Sequence, residues 1–300
     1  MQNKEQLNQK FSIDGQLQFS EGAEGFVMVD ISNQYADARI STYAGQVISF
    51  LPNNTVEDLL FLSDKVVYKE GKAIRGGTPI CWPWFGDDTS GFGRPSHGFV
   101  RNQQWSVLAS AELPDGRTSI TLGLSDTEGS LAVWPYKFKL ELEVIVGKQL
   151  DVKLTTKNRD SKAFSITQAL HTYFNISDVD NISVSSLDHK HYLDKIDGFH
   201  SKLQLGDVIV EKETDRIYQN APESVRLNDS GFDRAINITS SGSKTTVIWN
   251  PWSTSVTKIA DLDDSSFRHF VCVETANAAD DTVTIPANSE HTITAIYEVV

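Results

Sequence analysis

Two residues stand where proton chemistry is possible. The stretch "ITQALHTYFNIS", from Ile166 to Ser177, sets His171 in the middle of an alternating run. Imidazole is the side chain that gains or loses a proton near neutrality. The stretch "FVCVETANA" sets Glu274 among Phe270, Val271, Cys272 and Val273. Burial disfavours the charged carboxylate, raises its pKa and suits it to general-base work near neutral pH. Together they would form an acid/base pair needing neither a nucleophile nor a metal. Two structural alternatives stand beside this: a histidine satisfied by neighbouring backbone, and a glutamate held in a buried salt bridge to an arginine. The chain has no Gly-x-Ser-x-Gly elbow, Cys-x-x-Cys pair or phosphate-cradling P-loop. His189 and His191 share one face of a possible strand but lack a third ligand, so they read as surface histidines.

A third chemical signal is a segment dense in Gly and Pro, "IRGGTPICWPWFGDDTSGFGRPSHGFVRNQQW". Such a segment cannot be one regular strand or helix. It carries Arg75, Arg94, His97 and Arg101, with Trp82, Trp84 and Phe85 among them. Long loops bearing cations and aromatics on a β scaffold are where binding sites usually lie. A packed Ω-loop held by its aromatics is the plain alternative.

The elements that must position these residues are strands. Around His171, residues Phe164, Ile166, Leu170 and Phe174 fall on one face, and Ser165, Thr167, Ala169, His171 and Tyr173 on the other. Around Glu274, Val271 and Val273 share one face, and Phe270, Cys272 and Glu274 the other. "KFKLELEVIVGKQLDVKLTTKN" alternates across a turn at Gly147-Lys148, which predicts a hairpin. Helical signals are few; "TVEDLLFLS" predicts one or two turns with Thr55 as N-cap. Many strands without βαβ alternation predict an all-β fold: a large antiparallel β-sandwich with few short helices, formed by residues 1–300 as a single domain. Residues 1–25 are expected to be less ordered.

Composition narrows the partners. The 300-residue chain is 39% hydrophobic and 10% aromatic, enough for a sizeable core, and carries a formal net charge of −13. Such a surface repels phosphate backbones and anionic lipid, so no nucleic-acid or membrane partner is expected. An anionic small molecule would need a basic pocket working against the global field. Cys81 and Cys272 sit in apolar contexts and read as buried free thiols of a reducing compartment. The N-terminal "MQNKEQLNQKF" has no apolar core of a signal peptide, and no run approaches a membrane span. A cytoplasmic monomer is the expectation.

Six motifs in order, "IRGGTPICWPWFG", "SHGFVR", "LHTYFNISD", "ETDRIYQN", "VIWNPW" and "VCVETANA", resemble the aldose 1-epimerase superfamily, and more closely its hexose-6-phosphate mutarotase branch. The resemblance runs from about Phe26 to the C-terminus. It implies a galactose-mutarotase-like supersandwich with the sugar site on its concave surface. It also implies that His171 is the general acid and Glu274 the base. His97 would line the sugar site, Arg75 and Arg101 would contact substrate, and Asp215 would bind sugar hydroxyls. The sequence departs from the family pattern at Ser96, where some relatives carry glutamine, and at Trp84, a position often smaller. Both are candidate substrate contacts that bear on sugar preference.

The implied reaction interconverts α and β pyranose anomers. A base removes the O1 proton while an acid protonates O5, the C1–O5 bond opens, and the aldehyde rotates and recloses. Neither cofactor nor metal is called for. The branch implies a phosphorylated sugar, and the fork-shaped guanidinium groups of Arg75 and Arg101 suit phosphate oxygens, with Arg94 a third candidate; a mutarotase of neutral aldoses and a non-catalytic sugar-phosphate binding protein on the same fold are the alternatives.

Overall fold

A computed structural model describes residues 3–300. Two eight-stranded antiparallel sheets pack face to face, and a four-stranded antiparallel sheet of residues 17–52 extends the same core. One continuous apolar cluster reaches from Leu7 to Tyr297. Helices are short: Lys4–Phe11, Glu128–Val133 and Trp252–Ser255.

The supporting sheet is built on clean alternation. In the hairpin of Phe138–Val146 with Gln149–Asn158, alternate residues such as Leu140, Leu142 and Val144 are fully buried. Each such side chain contributes about 1.5–3 kcal/mol by leaving water. The outward positions carry paired charges, Glu141 bridging Lys139 at 2.8 Å and Lys157 at 2.6 Å.

The second eight-stranded sheet carries the candidate chemistry. Its strands run in the spatial order His200–Leu203, His191–Asp194, Thr214–Gln219, Thr245–Asn250, Phe270–Asn277, Gln168–Leu170 and Ile80–Cys81. Tyr173–Asn175 also pairs with Phe270–Asn277. The face carrying Phe174, Val271 and Val273 packs into the main core, where Phe174 meets the ring of Tyr297 edge-on at 5.2 Å. The opposite face carries Glu274, Trp249 and Asp215 and borders a cavity.

Two segments differ from the sequence expectation. Residues 55–63 form no helix. The carboxylate of Asp58 accepts the N–H groups of Phe50, at 3.0 Å, and Leu60, at 2.7 Å, and so fixes an extended path. Along it Leu60 bridges to Phe174 and Leu62 to Gly76, joining the N-terminal sheet to the one that carries the candidate chemistry. Residues 4–11, within the segment expected to be less ordered, form a helix whose N-cap Asn3 accepts the Gln6 N–H at 2.8 Å. Its Leu7 and Phe11 are buried in the main core.

Candidate active site

The polypeptide around His171 is an interrupted strand. Leu170 pairs with Thr275 and Tyr173 with Cys272, a single unbroken register. Continuing it across the interruption sets His171 opposite Glu274. The His171 N–H turns the other way and donates to the Pro79 carbonyl at 2.9 Å. The register extends through neighbouring strands, where Val247 pairs with Glu274 and Ile217 with Val247. One rung below, Asp215 pairs with Trp249, and Trp249 with Cys272. These two rungs form the floor of a cavity of about 540 Å³, within the usual range for small-molecule sites.

His171 Nε2 lies 3.4 Å from Glu274 Oε1. Glu274 is 1% exposed and His171 7%. No arginine reaches Glu274 within ion-pair distance among the described residues; its partner is His171. Burial, reinforced by the Asp215 charge, holds the Glu274 carboxyl well above the usual range. Burial, with His97 and the Arg101 charge, holds His171 well below the usual imidazole range. Glu274 Oε2 and His171 Nδ1 are buried with no protein partner. Unsatisfied buried polar atoms are costly and recur at functional sites. The imidazole is clamped by rings: Tyr173 stacks on it at 5.1 Å, and Trp249 meets it edge-on at 5.8 Å.

The Gly/Pro-rich loop folds over this floor. The His97 N–H donates to the Gly86 carbonyl at 2.7 Å, and the Gly86 N–H reaches back to His97 Nδ1 at 3.3 Å. Nδ1 therefore accepts, and the neutral ring carries its proton on Nε2. Burial, with Arg101 next, lowers the His97 pKa to about 3. Gly98 lets the loop touch down: at φ +72°, a Cβ there would lie 1.8 Å from the Trp82 carbonyl oxygen. The Trp82 ring is meanwhile locked in the core by its N–H to Thr156 at 3.0 Å.

Among the candidates from sequence, His171, Glu274, Arg75, His97, Arg101 and Asp215 all line the cavity. Trp84 and Ser96 do not. Trp84 donates to the Pro95 carbonyl at 3.0 Å and lies under the Arg94 guanidinium at 4.1 Å. The Ser96 hydroxyl donates to Asp87 at 2.7 Å. Arg94 is also engaged within the loop, paired with Asp88 at 2.7 Å.

Sequence reasoning missed Lys195, Tyr173 and Trp249. Lys195 pairs with Asp215 at 3.3 Å and adds a third cation to the cavity wall. It sits in the turn Lys195–Asp197, which has no motif around it. Tyr173 shares the strand parity of His171, which was the available signal; Trp249 stands beside Asp215 only through inter-strand register, which no local pattern gives.

Cys272 extends the pair to a potential metal donor set, since one ligand atom each of His171, Cys272 and Glu274 lies within 4.8 Å of the others. Burial and the neighbouring Glu274 push the Cys272 thiol up. A bound cation would need that proton released and would occupy both proton carriers. The donor set and the acid/base arrangement are thus mutually exclusive uses of the same atoms. A larger groove, about 660 Å³, runs beside the N-terminal helix, but neither histidine nor glutamate lines it.

The aldose 1-epimerase family profile matches residues 28–298. The chain belongs to the aldose 1-epimerase family. A relative from Cenchrus ciliaris, named "Putative glucose-6-phosphate 1-epimerase", is 36% identical over 262 residues, covering 84% of this chain and 78% of the relative. A protein of the same name from Escherichia coli K12 is 34% identical over 254 residues, covering 84% of each. Among solved structures, that of "a putative mutarotase (YeaD)" from Salmonella typhimurium superposes with a TM-score of 0.88 at 29% identity, covering 97% of this chain and 95% of that one. The sheets described above are thus those of an aldose 1-epimerase, and the cavity lies on the second eight-stranded sheet of that fold.

Proposed function

We propose that this protein interconverts the α and β anomers of a hexose 6-phosphate, with D-glucose 6-phosphate the leading substrate. The observation that carries the reading is the pairing of His171 with Glu274 across one register position, at the floor of a cavity whose wall holds Arg75, Arg101 and Lys195. The names of the curated relatives support the sugar phosphate.

Burial raises the carboxyl and lowers the imidazole, which favours the neutral form of the pair with its proton on Glu274. Transfer across the 3.4 Å gap gives carboxylate and imidazolium. In that state Glu274 takes the O1 proton while His171 delivers one to O5, and the C1–O5 bond breaks as the C1–O1 carbonyl forms. The pair is then again neutral imidazole and carboxylic acid. After rotation about C1–C2, His171 removes the O5 proton, O5 attacks C1 from the other face, and Glu274 returns its proton to O1. No atom is gained or lost. Asp215 accepts from sugar hydroxyls, and His97 donates through Nε2. Arg101, Lys195 and the outer edge of Arg75 meet the phosphate.

The test is exchange NMR between anomeric proton resonances, with glucose 6-phosphate and glucose compared at equal concentration. Faster exchange of the phosphate ester than of glucose supports the reading. Equal acceleration of both assigns the cavity to neutral aldoses, and acceleration of neither removes the enzyme reading.

A further inference from the structure

Arg75 is tied inward as well as facing the cavity. Its Nε donates to Asp261 Oδ1 at 3.0 Å, and its Nη1 donates to the Tyr173 hydroxyl at 3.1 Å. Asp261 is itself anchored, since its carbonyl accepts the Ser63 hydroxyl at 2.7 Å. The sequence explains why Arg75 can lie here. At Gly77, φ +62°, a Cβ would stand 2.2 Å from the Val47 carbonyl oxygen, so only glycine lets the chain pass between its neighbours. The Gly77 carbonyl then accepts the Tyr173 N–H at 2.9 Å, which locks the two segments together.

The hydrogen bond from Arg75 fixes the direction of the Tyr173 hydroxyl. A phenol oxygen that accepts from a guanidinium still has a proton to donate. No protein group accepts that proton among the described residues. Tyr173 is 2% exposed, and the surface it does expose faces the cavity, with its ring stacked on His171 at 5.1 Å and 16°. Burial keeps the phenol protonated against the pull of Arg75. The arrangement is a buried, pre-aimed donor beside the proton carrier, a form of electrostatic preorganisation.

Building on the epimerase reading above, we infer that Tyr173 is a further catalytic residue, donating a hydrogen bond to a sugar oxygen beside the one His171 protonates. Arg75 and Asp261 are the positioning residues that hold its hydroxyl in line. No proton is transferred from Tyr173; the bond strengthens as charge develops on the opening ring.

The test is steady-state exchange kinetics of Tyr173→Phe, Asp261→Ala and the double variant, on glucose 6-phosphate and on glucose, with melting temperatures as a fold check. Tyr173→Phe removes one oxygen and keeps the stacking ring. It is expected to lower kcat roughly 10-fold on both substrates, the scale of one lost hydrogen bond in a water-excluded site. Asp261→Ala should lower kcat on both substrates too, and the double variant should stay within about twofold of Tyr173→Phe, because the two act in one chain. Asp261→Asn, which keeps an acceptor for Arg75 Nε, should recover part of the loss. Wild-type kcat in Tyr173→Phe overturns the inference while leaving the epimerase reading intact, as do multiplicative losses in the double variant. Losses confined to KM for the phosphorylated sugar would make Arg75 a phosphate ligand alone and overturn it likewise. A wild type that accelerates no aldose overturns both.

Discussion

Replacing Glu274 by glutamine keeps its volume and removes its capacity to carry a proton. The structure allows the effect to be sized. His171 and Glu274 face each other at 3.4 Å, and among the described residues no other carboxylate forms an ion pair with His171. Without Glu274 nothing accepts the O1 proton; without His171 nothing supplies O5. Each general acid or base contributes roughly 10²–10⁴-fold, which is about 3–5.5 kcal/mol of barrier. Independent groups would multiply to roughly 10⁴–10⁸-fold in the double variant. The exchange proposed here needs both carriers in one cycle. Glu274→Gln combined with His171→Asn should therefore fall within about tenfold of the worse single variant. The assay is saturation transfer between the α and β anomeric protons of glucose 6-phosphate, with EDTA present and the uncatalysed rate subtracted. Glu274→Gln should melt no lower than wild type, because burial already disfavours the charged carboxylate there and glutamine is its neutral isostere. A folded Glu274→Gln enzyme with near-normal turnover would make the carboxylate structural. Multiplicative losses would separate the two groups into different steps. Activity abolished by EDTA and restored by a divalent ion would move the chemistry to the donor set that includes Cys272.

Three further outcomes follow from the same geometry. Arg101→Ala should raise KM for glucose 6-phosphate roughly 10- to 150-fold, the range of one charge-assisted hydrogen bond, and leave turnover on glucose nearly unchanged; if it and Lys195→Met both retain the phosphate preference, the phosphate is bound elsewhere. Gly98→Ala should lower stability by about 2 kcal/mol or more, and the melting temperature by several degrees, because its Cβ would meet the Trp82 carbonyl oxygen at 1.8 Å; an unchanged melting curve would mean the loop relaxes freely. The folded pKa of His97, about 3, lies below its unfolded value of about 6.5, so its contribution to stability is present above pH 6.5 and is lost as pH falls. Between pH 7 and 5 the loss is at most about 2 kcal/mol, less the share screened by cavity water. Glu274, raised in the folded state, slopes the opposite way, so urea midpoints of His97→Asn and wild type at the two pH values should be compared directly. Equal slopes would show that His97 titrates alike folded and unfolded.

Much of the site was legible because a strand writes its two faces in alternate letters. The parity that put His171 and Tyr173 on one face and Phe174 on the other holds: Phe174 packs in the core and His171 lines the cavity. What alternation cannot give is register. That His171 lies opposite Glu274 depends on pairing between segments a hundred residues apart, which the family resemblance supplied and local spacing did not. Lys195 and Asp261 were illegible for the same reason, since each acquires its role only when the chain brings Asp215 and Arg75 beside it. Ser96 shows the converse. It adjoins His97 in sequence, yet the backbone at His97 takes φ +66°, and the neighbouring side chain is directed to Asp87. The helix expected from Thr55 failed because the contiguous apolar run Leu59–Leu62 suits an extended bridge as well as a helix, and the Asp58 carboxylate binds the Leu60 N–H that a helix would claim together with the Phe50 N–H of the adjoining strand.

The placement of the pair on a sheet floor has a physical reason. A buried carboxyl and a buried imidazole each lose stability if charged alone, so neither could be held in a flexible loop without escaping to water. Here both are fixed by backbone bonds on two sides: Phe270–Asn277 pairs with Thr245–Asn250 on one side and with the interrupted strand on the other, and His171 reaches Pro79 beyond. The interruption at His171 and Thr172 does not break the register, but it turns the His171 N–H away to Pro79 while the two side chains meet at 3.4 Å on the cavity floor. The charges that tune the pair come from other elements: Asp215 from the neighbouring strand, Lys195 from a turn, and Arg101 from the loop above. Rigid placement from the sheet and adjustable charge from the periphery are separate tasks. Substitutions in the loop and turn should therefore alter which sugar is taken, while the proton exchange itself stays with the floor.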